Sequence, residues 1–248
     1  KRLKNKNFKN FFGFPLFEWS LAAGLFLKQQ LRGLREISVV CTSDDDRILD
    51  LVKKKYSSSI LAVRRKPELS DDNAILSDVI FDCIYKLAER HVIRLDDYLA
   101  GSFILLQPTS PIRLKDDLVS FCRQIKNLGN NLSMVSVNKN YSEIKDIYEI
   151  IKFSEAKSDF LLGHIGKKLL KASAIKQDSN SAFVDGSLYL GVMSMLKEQG
   201  FMPAAKTLAF PLSIKRSIDI DTEEEFDDAL VLIKELQNLE IEYVSPKI

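Results

Sequence analysis

Phe103-Ile104-Leu105-Leu106-Gln107-Pro108-Thr109-Ser110-Pro111-Ile112-Arg113 is the stretch on which the fold turns. Its first four residues form a short, continuous apolar run, the pattern of a buried strand. The strand then meets a polar tip. Pro108 and Pro111 fix φ and each remove a backbone donor, so the tip is stiff and extended. Gln107, Thr109, Ser110 and Arg113 place an amide, two hydroxyls and a guanidinium beside one strand end. Open α/β sheets bind their ligands at such ends. An ordinary strand-to-helix turn uses the same Pro and Ser residues, so this stretch alone leaves both readings open.

Strands and helices alternate on either side of it. Upstream, Pro15 to Gln30 has proline in its first turn and Leu16, Trp19, Leu21, Ala22, Leu25 and Phe26 at helical spacing. Ile37 to Cys41 is β-branched and reads as a strand, and Ser43 is placed to cap the helix carrying Ile48, Leu51 and Val52. Ile60 to Val63 is a further strand. Asp72 precedes a long helix with Ile75, Val79, Ile80, Ile84 and Leu87 on one face. Downstream come a helix near Leu114 to Leu128 and a strand from Leu132 to Val137. This order predicts an α/β domain, mainly a parallel sheet with helices on both faces.

The regularity breaks between Asn138 and Ala182, where Tyr148 to Phe153 is strand-like and Phe160 to Leu170 is ambiguous. A long irregular insertion in a compact domain usually has a task of its own, such as a lid or a contact arm. Strands resume at Gly186 to Leu190 and at Ser217 to Ile220. Thr222-Glu223-Glu224-Glu225 is a capping-box signature for a last helix bearing Phe226, Ala229, Leu230, Leu232 and Ile233.

Composition narrows the classes of function. With 248 residues, 46% hydrophobic, and a net charge of +2, the chain suits one large domain and offers no strongly basic face for nucleic acid. Cys41, Cys83 and Cys122 are widely spaced and odd in number, which favours buried thiols over disulfides or a zinc site. No apolar run reaches about 18 residues, so a membrane span is not expected. A signal-peptide arrangement is missing too, and the expectation is a cytoplasmic protein. A P-loop and a dinucleotide-binding glycine pattern are both absent from the sequence. His91 and His164 lie far apart with no triad-like partners, and Trp19 reads as core.

Two further groups can carry chemistry. In Ser217-Ile218-Asp219-Ile220-Asp221-Thr222, alternation puts Asp219 and Asp221 on the same side of a strand, with Ile218 and Ile220 on the other. Adjacent carboxylates repel unless a proton or cation lies between them, and oxygen ligands suit Mg²⁺. An acidic outer strand face would look the same. The basic start, with Lys1, Arg2, Lys4, Lys6 and Lys9, and the turn Arg64-Arg65-Lys66 can each hold phosphates or simply be solvated.

Order and spacing join these pieces. Lys6-Asn7 before the first helix, Thr42-Ser43-Asp44-Asp45, the turn from Arg65 to Asp72, Gln107 to Arg113, Asp185-Gly186-Ser187-Leu188-Tyr189, and Ser217 to Thr222 follow one another along the chain. The set resembles the cytidylyltransferases that activate nine-carbon acidic sugars, the CMP-sialic, legionaminic and pseudaminic acid synthetases. The likeness extends over nearly the whole chain. It implies a Rossmann-like nucleotide-diphospho-sugar transferase fold over residues 1–248, with a dimerisation arm at about 138–182. It also implies that the family's first strand precedes Lys1.

The activity implied is transfer of CMP from CTP to the sugar's anomeric hydroxyl, with Mg²⁺ as cofactor and a homodimer as the working form. By position, Lys1 and Lys6 match lysines that hold the triphosphate, and Asn7 a cytosine contact. Arg65 matches a nucleotide-site arginine, and Ala74 lies where the base pocket is walled. Gln107 and Thr109 match sugar-binding positions, and Tyr189 an aromatic completing the sugar site across the dimer. Asp219 and Asp221 match the metal pair, with Asp221, Asp219 and Lys6 the catalytic set. Asp185 stands where the family has asparagine, adding a negative charge near an acidic substrate. The rival readings are a Kdo cytidylyltransferase, a GT-A glycosyltransferase, and a non-catalytic nucleotide- or sugar-binding homologue. Within this reading Arg113 serves only to fix the turn.

Overall fold

The computed structural model describes residues 3–34, 36–71, 73–90, 92–128, 132–138, 147–152, 160–166, 181–199, 207–212 and 218–246. A small antiparallel hairpin, β1 (Asn10–Phe11) with β2 (Phe14–Pro15), feeds helix α1 (Leu16–Gln30). Next come β3 (Val39–Ser43), α2 (Asp46–Tyr56), β4 (Ile60–Arg64) and α3 (Leu76–Glu89). The short α4 (Leu95–Leu99) precedes β5 (Ser102–Leu105), the strand of the polar tip, and then α5 (Lys115–Asn127) and β6 (Ser133–Asn138). The second half holds β7 (Ile147–Lys152), β8 (Phe160–Gly166), β9 (Ser181–Val192), α6 (Met193–Gln199), β10 (Thr207–Pro211) and α7 (Glu223–Asn238).

Side-chain alternation on β3 and β4 explains why helices cover both faces. Val39, Cys41, Ile60 and Ala62 pack with Phe17 and Leu21 of α1 and Ile48 and Val52 of α2. Val40, Leu61 and Val63 point the other way and pack with Cys83 and Leu87 of α3. The two strands are parallel, in register from Val39 opposite Ile60 to Ser43 opposite Arg64. The period of two along each strand therefore sorts one helix layer from the other.

The larger sheet has the order β5-β9-β6-β10-β8-β7. β6 and β10 are parallel, and β9 runs antiparallel between β5 and β6. From Asp185 to Val192, β9 is buried apart from the half-buried Tyr189. Leu188 and Leu190 of β9 join Ala23 and Leu27 of α1 and Leu118, Phe121 and Cys122 of α5 in the main core. On the opposite face, the ring of Phe103 lies over Gly191, its cross-strand partner, in the space where a Cβ would stand. Within the irregular region, β7 and β8 form a hairpin joined to the sheet through β8–β10 and β7–β9 pairs.

Three local expectations are corrected. Ser43 belongs to β3, and Asp45 caps α2, its carboxylate accepting from Arg47 N while Ser43 Oγ accepts from Asp45 N at 3.1 Å. Ile75 precedes α3 and is exposed rather than part of its inward face. Ile218 to Asp221 is extended but belongs to no ladder. Among the described residues its backbone-to-backbone links are Ile220 N to Thr109 O and Leu3 N to Asp221 O, both 2.8 Å. Asp72, which was expected to precede α3, and Ser217 lie outside the described residues.

Candidate active site

The segment from Ile218 to Asp221 lies between the polar tip and the basic start of the chain. Ile220 is fully buried against Phe11, Trp19, Ile112, Phe226 and Ile233. That anchor turns the flanking carboxylates of Asp219 and Asp221 outward, as alternation predicts. Directly after it, Thr222 caps α7 in a complete capping box. Glu225 N donates to Thr222 Oγ1 at 3.2 Å, and Glu225 Oε2 accepts from Thr222 N at 2.8 Å and Asp221 N at 2.7 Å. The C-terminal end of the acidic segment is therefore held by backbone bonds with Thr109 and Leu3 and by the Glu225 carboxylate.

The two carboxylates face different neighbours. Asp221 Oδ1 accepts from Lys6 Nζ at 2.7 Å, and the same ammonium reaches Ile220 O at 3.3 Å. A second lysine, Lys9, pairs with Glu223 at the start of α7. Asp219 instead accepts from the Thr109 hydroxyl. Its Oδ2 stands 3.9 Å from the point where a Cβ on Gly186 would be, and Gln107 Oε1 stands 3.1 Å from that same point. Gly186 has φ +82°, a conformation in which side chains are strained, and its missing Cβ leaves room for the Gln107 amide.

Electrostatics follow from this placement. Loss of hydration pushes the Asp219 carboxyl up, and the charges of Asp221 and Glu225 add to the rise. The Thr109 hydrogen bond and Lys6 work the other way. Two neighbouring carboxylates, the second of them held by a lysine, form a donor set suited to a hard divalent cation. Such a cation takes few protein ligands and completes its shell with phosphate oxygens and water. Among the described residues no group of three or more His, Cys, Asp or Glu side chains is arranged to cage a metal by itself.

Gln107, Thr109, Asp219, Asp221 and Lys6 thus form one connected group. Arg65 and Ala74 belong to a second, on the turn after β4. There Arg65 donates to Ser70 Oγ at 3.0 Å and to Asp44 Oδ1 at 3.3 Å, and Ala74 N donates to Asp71 O at 3.2 Å. Asn7 is half-buried in the 3₁₀ turn Lys6–Phe8. Tyr189 sits opposite Leu105 and Val135 in the sheet, three residues beyond Gly186. Lys1 lies outside the described residues.

Asp185 is turned into the protein. It is buried, and one of its oxygens accepts from Ser136 Oγ and, at 3.0 Å, from Ser187 N. Sequence reasoning gave Ser20 and Gly186 no role. Ser20 donates to Gln107 O at 2.9 Å from the buried side of α1. A lone serine on an otherwise apolar helix face was its only signal.

The chain is similar to several known proteins. A cytidylyltransferase family model matches residues 1–152. The CMP-N,N'-diacetyllegionaminic acid synthase of Legionella pneumophila is 29% identical over 225 residues, covering 90% of this chain and 86% of the relative. The pseudaminic acid cytidylyltransferase of Campylobacter jejuni is 25% identical over 239 residues, covering 94% and 91%. In fold, the chain superposes on a CMP:2-keto-3-deoxy-manno-octonic acid synthetase complexed with CTP, with a TM-score of 0.60 and 12% identity over 95% and 94% of the two chains. A 4-diphosphocytidyl-2C-methyl-D-erythritol synthase gives 0.56 and 10% over 92% and 93%. The family match spans more than half of the chain and includes the basic start and the Gln107–Arg113 tip; the chain belongs to the cytidylyltransferase family.

Proposed function

We propose that this protein transfers CMP from CTP to the anomeric hydroxyl of a nonulosonic acid, releasing pyrophosphate. The observation that carries the reading is the division of the acidic pair: Asp219 faces Gln107 and Thr109, whereas Asp221 faces Lys6. One carboxylate belongs to the sugar side of a two-substrate cleft and the other to the phosphate side. The two bacterial relatives, whose names describe synthesis of CMP-legionaminic acid and cytidylyl transfer to pseudaminic acid, support the substrate class.

Phosphoryl transfer depends on in-line placement and charge neutralisation more than on covalent help from protein. Gln107 and Thr109 hold and orient the sugar acid. Asp219, with its carboxyl pushed up, accepts the proton of the anomeric hydroxyl as that oxygen attacks the α-phosphate. Lys6 and Lys1 stabilise the departing pyrophosphate, and Asn7, Arg65 and Ala74 hold the nucleotide. Asp219 and Asp221 would hold Mg²⁺, which when bound draws charge from the α-phosphate. Tyr189 completes the sugar site in a homodimer, and the protein works in the cytoplasm. Among the described residues no helix is long and apolar enough to cross a membrane.

The test is a pyrophosphate-release assay on the full chain with CTP and Mg²⁺. Sialic, legionaminic and pseudaminic acids and Kdo are offered in parallel, with CTP binding followed by calorimetry. Turnover with a nine-carbon acid is expected. Turnover with Kdo alone would move the substrate class, and CTP binding without any turnover would favour a binding homologue.

A further inference from the structure

Arg113 is only 3% exposed, yet among the described residues its guanidinium makes hydrogen bonds to neutral oxygens alone. Nε donates to Ser187 O at 3.1 Å, Nη1 to Ser20 Oγ at 3.2 Å, and Nη2 to Gln107 O at 3.0 Å. Ser20 Oγ closes the circuit by donating to the same Gln107 carbonyl. One planar fork therefore joins helix α1, the end of strand β5 and the bend at Gly186-Ser187 in β9.

Burying a guanidinium is strongly unfavourable unless its surroundings compensate. Three hydrogen bonds offset part of that, and the charge of Asp185 acts on Arg113 through space. A lysine in the same place would be a point charge on a flexible stem and could not span three acceptors in one plane. The three anchored segments are the walls of the sugar side. Gln107 carries the amide, and Gly186 supplies the gap into which that amide fits, with Asp219 beyond it.

We propose that Arg113 is a positioning residue for the sugar acid. By holding the Gln107 and Ser187 carbonyls it sets the spacing between the Gln107 amide and Asp219, while touching neither substrate. This rests on the functional reading above for the identity of the ligand, though the clamp itself does not.

The experiment compares the wild-type chain with Arg113→Lys, and with the milder Ser20→Ala as a variant that keeps the guanidinium. Arg113→Lys is expected to raise the sugar KM about tenfold or more, with the CTP KM changed less than about twofold. Ser20→Ala is expected to shift the sugar KM in the same direction by less. Hydrogen exchange of the ligand-free proteins is measured alongside. In Arg113→Lys, segments 103–110 and 184–190 should exchange faster together while α7 stays as in wild type. Equal rises in both KM values, or unchanged exchange in the two segments, overturns the proposal. A Lys variant that matches wild type in both measurements also overturns it, because charge alone would then suffice. If the wild type turns over no sugar acid, the functional reading fails, and the exchange result still decides the clamp.

Discussion

Asp221 and Gly186 show how differently two single residues can matter in one site. Asp221 is partly exposed and lies on Lys6, so replacing its charge leaves the packing around Ile220 untouched. Asp221→Asn should lower CTP-dependent pyrophosphate release by at least about a hundredfold, with an unchanged circular dichroism spectrum. Retained turnover would remove Asp221 from the phosphate side. Gly186→Ala acts through space and backbone instead. At φ +82° a Cβ is strained, and it would stand 3.1 Å from Gln107 Oε1. Stability should fall by about 1 kcal/mol, read from a urea midpoint. The sugar KM should rise, since the Gln107 amide must move aside. Gln107→Ala should likewise raise the sugar KM more than the CTP KM.

At the scale of elements, the acidic segment owes its placement to the start of α7. Thr222→Ala breaks the capping box and should cost about 1 kcal/mol of stability. Because Glu225 Oε2 also accepts from Asp221 N, hydrogen exchange should quicken across residues 219–223 as well as in the first turn of the helix. Exchange confined to the helix would show that the cap does not steady the carboxylates. The same comparison shows what the sequence could tell. Helices α1, α5 and α7 were legible because their apolar residues recur at helical spacing and are buried. The Asp219–Asp221 alternation correctly placed both carboxylates outward. It could not reveal that the segment pairs with Thr109 and Leu3 one bond at a time, because alternation reports extension and not neighbours. β10 and α6 were missed because Thr207-Leu208-Ala209-Phe210 is short and wholly buried, with no polar rhythm, and α6 follows β9 without a break.

For the molecule as a whole, the three cysteines give a measurable signature. All three are free thiols, and burial pushes Cys41 up to about 11, Cys83 to about 12 and Cys122 to about 11. Their raised values mean that the unfolded chain ionises first as pH climbs. The stability they contribute is complete below about pH 9 and is lost between there and about pH 12. Urea midpoints at pH 8, 9.5 and 10.5 should fall in that order. At pH 8 a thiol reagent should modify the folded protein at least about tenfold more slowly than the urea-unfolded chain. Rapid modification of the native protein would contradict the burial. The whole molecule is also where the proposed Mg²⁺ is tested: a chelator should abolish pyrophosphate release, and added Mg²⁺ should restore it.

The bond between Lys6 and Asp221 joins residues 215 positions apart. Closing a loop of that size is entropically slow, and native pairings of such separation tend to form late in folding. During synthesis, Lys6 leaves the ribosome long before Asp221 exists. The Lys6–Asp221 pair therefore waits for the acidic segment, which the start of α7 caps. A chain that stops short of Ile218 carries the basic start, the Gln107 tip and most of the sheet, but lacks Asp219 and Asp221. The contact between the two ends of this pair therefore forms only once the acidic segment has been synthesised.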